Sequence, residues 1–152
     1  MAAGNARPPR LIMTTAIDTN VVIALWDTDP EVTLAARTAL DAAFHRGNLI
    51  VAAPVFAELI AAPGRTESFV SAFFEDAGIA IDWELGEGVW RSAGRAFRGY
   101  AERRRKSSAA IPRRILADFL IGAHAAVHGY RLLTFDERLF RAAFPTLKVE
   151  TI

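Results

Sequence analysis

Four acidic residues in this 152-residue chain stand inside apolar words rather than among other charges. Asp18 lies in AIDTNVVIAL, Glu58 in PVFAELIA, Asp118 in ILADFLIGAHA and Asp136 in LLTFDERLF. A carboxylate in such company loses hydration, and a second carboxylate nearby makes ionisation harder still. If the four meet in one cleft, they need a counter-charge. The simplest is a hard divalent cation with oxygen ligands, Mg²⁺ with Mn²⁺ as a substitute. Such an ion polarises a phosphoryl oxygen and turns a bound water into a nucleophile. The sequence has no cysteine, lacks the His/Cys clusters of a zinc site and has no GxxxxGK[ST] loop, so thiolate, zinc-finger and P-loop chemistry are not indicated.

Each acid also has a plainer use. Asp18 and Asp136 suit helix N-caps. Glu58 suits the surface of an amphipathic helix, and Asp118 could pair with Arg114 four residues earlier. For Asp118 the plain use is weaker, because Ile115, Phe119, Leu120 and Gly122 suggest an inward-packing face. His45, His124 and His128 read as helix-surface or packing residues, since nothing pairs them with a nucleophile.

The elements that must position these acids alternate. Residues 15–17 form a short apolar strand ending at Asp18, and a helical turn follows over 21–26. Apolar residues recur at helical spacing from Pro30 to Phe44, and Gly47-Asn48 stops them. A second strand covers 49–53. Pro54 opens a helix carrying Glu58, which Pro63-Gly64 ends. A short helix over 67–76, a strand over 79–81 and a long helix from Val89 past Ala101 come next. Residues 107–112 read as a loop, 113–128 as a helix ended by Gly129, and 131–134 as a fourth strand. Thr134 and Glu137 are spaced like a capping box for a last short helix, and 147–149 suit an edge strand. Alternating strands and helices imply an α/β fold with a mostly parallel central sheet and helices on both faces. In such sheets, sites form beyond the carboxyl ends of the strands, where all four acids fall.

Composition bounds the class. The apolar fraction of 52% and charged fraction of 23% are those of a globular chain that buries a core. Residues 1–12 read as a flexible tail and 13–152 as one domain. No apolar run approaches a membrane span, and the N-terminus has no apolar signal core, so a cytoplasmic protein is expected. Acids dominate from Leu11 to Trp90. From Arg91 to Arg114 the sign reverses, with Arg103, Arg104, Arg105, Lys106, Arg113 and Arg114 the densest group. Bases beside gathered acids suit a polyanion bound next to a metal, although a solvated basic helix would look the same.

The four words, in this order and at this spacing, resemble the PIN-domain ribonucleases, specifically the VapC-type toxins of bacterial toxin–antitoxin pairs. The resemblance spans 14–152. It implies a three-layer α/β/α sandwich, a Mg²⁺-dependent endoribonuclease, a homodimer and a cognate antitoxin whose C-terminal tail blocks the cleft. It implies Asp18 and Asp118 as direct metal ligands, Asp136 completing the pocket, and Glu58 binding through water or positioning the attacking water. Asn20 and Thr134 would steady the carboxylates. Metal-activated water would attack the phosphodiester in line and expel the 3′ oxygen, with no covalent enzyme intermediate. The first dozen residues extend beyond the usual pattern of these toxins.

Two other classes compete. A phosphotransfer domain needs a second acid two residues after Asp18 or an acidic pair before the first helix, and Asn20 stands in the former place. A catalytically silent PIN-like module that grips a partner protein would use the apolar helices over 32–44 and 69–74, but has no reason to keep four acids.

Overall fold

The computed structural model describes residues 13–107 and 113–152. The tail expected over 1–12 and most of the loop expected over 107–112 lie outside the described residues.

Five strands make one sheet: β1 (Met13–Ile17), β2 (Gly47–Ala52), β3 (Ile79–Asp82), β4 (Arg131–Thr134) and β5 (Lys148–Thr151). Their order is β3-β2-β1-β4-β5 and every pairing is parallel. Seven helices connect them among the described residues: α1 (Thr19–Leu25), α2 (Pro30–Arg46), α3 (Ala53–Ala61), α4 (Glu67–Ala77), α5 (Gly86–Lys106), α6 (Leu116–His128) and α7 (Glu137–Ala143). The chain builds from β1 outward to β3, then returns across the sheet to β4 and continues to β5. Right-handed crossovers therefore put α1 to α4 on one face and α5 to α7 on the other. This is the expected three-layer α/β/α sandwich. The direction of winding reverses between β1 and β4, and the crevice at their carboxyl ends is the switch point of the sheet.

The β1–β4 register fixes what faces that crevice. Ile17 pairs with Leu133, and the Asp18 N–H donates to the Leu133 carbonyl at 3.0 Å. Asp18 and Thr134 thus leave adjacent strands at the same height. Leu132, Leu133, Val51 and Ile17 are almost wholly buried between the helical layers, as expected for a parallel sheet covered on both faces.

Helix α2 runs straight into β2 at Gly47, with no intervening loop. A β-carbon on Gly47 would collide with the Met13 carbonyl of the paired strand, so the residue that stops the helix also admits the close strand contact.

One boundary departs from expectation in a way that matters. The helix expected over 113–128 begins at Leu116, because Ile115 is extended (φ −110°, ψ 162°). Ile115 is 58% exposed and does not share the buried face of Phe119, Leu120 and Gly122. Asp118 therefore stands in the first turn, not mid-helix. The Ile115 N–H donates to Asp118 Oδ2 at 3.3 Å, which is half of a capping box. The helix N-terminus also favours negative charge at this position.

Helix α6 is seated by Gly122. A β-carbon there would overlap the Phe144 ring and lie 3.0 Å from Phe140 Cδ1, both fixed in the core. Gly122→Ala gains up to about 1 kcal/mol in helix propensity but overpacks this contact, which costs roughly 1–3 kcal/mol. Urea unfolding of the variant is expected to show a lowered midpoint at unchanged slope. A midpoint at or above that of the parent chain would contradict this packing.

Candidate active site

Asp18 is the N-cap of α1 and the innermost acid, 6% exposed. One carboxylate oxygen, Oδ1, accepts the Thr19 N–H at 2.8 Å, and the other, Oδ2, accepts the Thr134 hydroxyl at 2.7 Å. The cap and the site are thus one residue. Burial pushes its carboxyl up to about 6, against the pull of the Thr134 and Thr19 donors, and the charges of Asp118 and Glu58 add to the rise.

Glu58, on α3, is half-buried and accepts the Thr19 hydroxyl at 2.6 Å. Burial raises its carboxyl, the Thr19 hydroxyl opposes, and Asp118 contributes to the rise. Asp118 is half-buried and raised first by burial. The Ile115 N–H and Arg114 act against that shift, and Asp136 reinforces it. Asp18, Glu58 and Asp118 each respond to another acid of the set, and Asp118 responds to Asp136. The fold brings the four together.

Asp136 precedes α7, but its side chain caps nothing. Its carboxylate instead meets Arg114 Nη1 at 2.7 Å. The capping box expected from Thr134 and Glu137 does not form. Thr134, fully buried at the end of β4, donates to Asp18 and accepts the Asp136 N–H at 2.9 Å. Asn20 links the same point, with Nδ2 3.5 Å from Thr134 Oγ1 and Oδ1 accepting the Phe135 N–H at 3.3 Å. The hydroxyl of Thr134 sits at the junction of β1, β4 and α7 and holds the Asp18 carboxylate and the Asp136 backbone.

Sequence reasoning missed Thr19 as the partner of Glu58, because 39 residues separate them. Arg114, expected both among the phosphate-binding bases and as a possible partner of Asp118, has its guanidinium against the acids and meets Asp136, a partner the spacing did not suggest. Arg103, Arg105 and Lys106 are exposed in the last turn of α5, and Arg104 and Arg113 are exposed too. Phe97 and Tyr100 of α5 pack on Phe119, with ring centres 4.6 and 5.4 Å away, so the basic turn lies at the Asp118 end of α6.

An all-oxygen set of four carboxylates fits a hard cation. The acids do not draw three ligand atoms within 4.8 Å of one another; among the described residues only Asp82, His124 and His128 do so. Wider spacing suits Mg²⁺, which keeps several waters and uses one or two carboxylates directly.

Fold and pocket define a parallel α/β domain with carboxylates at its switch point. The chain belongs to the PIN-domain family, whose signature matches residues 15–145. Solved structures similar in fold include VapBC2 of Rickettsia felis bound to a promoter DNA fragment, at 19% identity and TM-score 0.66 over 92% of this chain and 99% of that one. Another is VapBC-1 of nontypeable Haemophilus influenzae, at 17% identity and TM-score 0.64 over 91% and 98%. A third is the FitAcB structure from Neisseria gonorrhoeae, at 23% identity and TM-score 0.56 over 89% and 95%. No protein of curated function matches the chain in sequence.

A raised carboxyl has a definite signature in stability. The folded state takes up the Asp18 proton near pH 6, the unfolded chain near 3.8. Ionised Asp18 therefore works against folding above pH 6, by on the order of 3 kcal/mol, and the penalty fades as pH falls toward 3.8. Metal-free Asp18→Asn is expected to melt above the parent chain at pH 8, with the gap closing by about pH 4. Thermal unfolding at both pH values measures this, and a gap that widens on acidification would contradict it.

Proposed function

We propose that this chain is a metal-dependent endoribonuclease, the toxin of a toxin–antitoxin pair, hydrolysing RNA phosphodiester bonds. The observation that carries the reading is the pocket in which burial and mutual repulsion raise Asp18, Glu58 and Asp118 at the switch point of a PIN fold. Asp18 and Asp118 would hold Mg²⁺, or Mn²⁺ in its place, directly, and Asp136 would complete the shell through water. When bound, such an ion lowers the pKa of a coordinated water and stabilises charge on the phosphoryl oxygens.

The residues divide the remaining work. Glu58, held by Thr19, would orient the attacking water and take its proton; its raised carboxyl supports the role of general base. Thr134 would keep the Asp18 carboxylate from turning away, with Asn20 steadying Thr134 and the Phe135 backbone beside it. Arg114 supplies positive charge at Asp136 and can exchange that carboxylate for a phosphate oxygen of the substrate. Arg103, Arg104, Arg105, Lys106 and Arg113 would hold flanking phosphates, with affinity that falls as salt rises.

Similar solved structures include VapBC and toxin–antitoxin complexes, which supports a protein antitoxin as partner. A groove of about 370 Å³ lined by Leu25, Trp26, Leu40, Phe44, Phe73 and Ile79 offers it an apolar seat. Phe44 and Leu34 of α2 and Phe69 of α4 are exposed around that face. A homodimer in the cytoplasm completes the proposal. Among the described residues, no helix is long and apolar enough to cross a membrane. The silent-module reading uses the same groove and differs only in leaving the acids idle.

Asp118→Asn decides between them. Substituting groups that merely orient metal ligands costs 10–100-fold, so removing a ligand charge is expected to cut Mg²⁺-dependent RNA cleavage at least ~100-fold. The variant is expected to remain folded, because the asparagine oxygen still accepts the Ile115 N–H. A gel assay with Mg²⁺ and with EDTA reads the outcome. Cleavage by the folded variant at the parent rate would refute the assignment.

A further inference from the structure

We propose that Asp82, His124 and His128 form a second metal site, for a borderline divalent ion of the zinc class, separate from the acidic pocket. The sequence reading took both histidines as surface or packing residues. The structure buries His124 completely and sets its Nε2 3.0 Å from Asp82 Oδ2, at the end of the edge strand β3. His128 lies four residues further on, on the same face of α6, with the two ring centres 5.2 Å apart. One nitrogen from each ring and one oxygen of Asp82 lie within 4.8 Å of one another.

These separations suit a small tetrahedral ion. With bonds of 2.0–2.1 Å, neighbouring ligand atoms stand about 3.3 Å apart. The His124–Asp82 edge is near that length already. The exposed His128 ring supplies the third corner by turning, and Tyr130, stacked on it at 5.2 Å and 19°, holds it over the site. Solvent at the His128 side leaves room for a fourth ligand, water.

The donor set selects the ion. Two imidazoles and one carboxylate favour Zn²⁺, Co²⁺ or Ni²⁺ over Mg²⁺ and Ca²⁺, which prefer oxygen throughout. His124 does not behave as a satisfied core histidine. Its Nδ1 is buried without a hydrogen-bond partner among the described residues, so Nε2, turned toward Asp82, is the nitrogen offered to an ion. Burial also holds the ring below the usual histidine range despite Asp82, which keeps it neutral and able to coordinate. The site is distinct from the acids. His124 and His128 lie six and ten residues along α6 from Asp118, or about 9 and 15 Å of helix rise. An ion there ties the end of β3 to the helix that carries Asp118 and stabilises the fold in proportion to its binding. The inference does not depend on the nuclease reading.

The untagged full chain, with saturating Mg²⁺ to occupy the acidic pocket, is titrated with Co²⁺ and then with Zn²⁺. The parent chain is expected to take up one Co²⁺ with visible absorption typical of nitrogen ligation, which Zn²⁺ displaces. Zn²⁺ should also raise the melting temperature. His128→Ala alters an exposed residue and is expected to fold yet lose both signals. Asp82→Asn should weaken binding at least 10-fold, and Asp18→Asn should leave it unchanged. No Co²⁺ or Zn²⁺ uptake by the parent, equal uptake by His128→Ala, or loss with Asp18→Asn would overturn the proposal. Mg²⁺-dependent RNA cleavage, assayed separately, reports on the acidic pocket alone.

Discussion

The burial of carboxylates at the β1–β4 crevice, reinforced by their mutual repulsion, is the constraint to which the surrounding structure answers. Asp18 has almost no access to water, and Asp118 and Glu58 are half-buried beside it. Left alone, such groups would take up protons or swing apart. Two buried or half-buried hydroxyls prevent the second outcome. Thr134 grips Asp18 and the backbone of Asp136, and Thr19 grips Glu58 while its own N–H donates to Asp18. The helix N-terminus at Leu116 and the Ile115 N–H make Asp118 bearable. Arg114 answers part of the charge at Asp136. The remainder is an electrostatic debt that a divalent cation is suited to cancel.

The topology explains why this constraint can be met at all. The sheet reverses its winding between β1 and β4, so two strand ends and the helices that follow them open onto one crevice instead of being sealed by a crossover. Asp18 and Asp136 arrive there from strand ends, Glu58 from the second turn of α3 and Asp118 from the first turn of α6, on opposite faces of the sheet. Helix α6 must be held rigidly for this, and the contact of Gly122 with Phe144 and Phe140 sets its height. The basic last turn of α5 is delivered to the same end of the molecule by the Phe97–Tyr100–Phe119 cluster.

Much of this was legible in the chain because parallel sheets leave local marks. Short apolar runs ending in an acid identified β1 and the exit of β4, and Pro30, Pro54 and Gly129 marked helix ends. The misplaced start of α6 was not legible, since Ile115 carries no side-chain oxygen to announce an N-cap and residues 113–115 look as helical as those after them. Partnerships across long separations were hidden as well. Thr19 with Glu58, Arg114 with Asp136 and Asp82 with His124 each join elements that meet only once the sheet order is known. Arg114 is the instructive case: its charge pattern belonged to the basic run, while its position belongs to the acids.

The state of the Asp18 carboxyl decides whether the pocket is prepared for a cation, and it can be observed directly by carbon-13 NMR titration of the folded chain with and without Mg²⁺. Without the ion, the side-chain signal should titrate near pH 6. With Mg²⁺ at saturation it should move below the ordinary carboxylate range, because a bound cation favours the charged form. An Asp18 signal that titrates near 3.8 in both samples, unmoved by Mg²⁺, would contradict the claim that buried repulsion prepares this pocket for a cation.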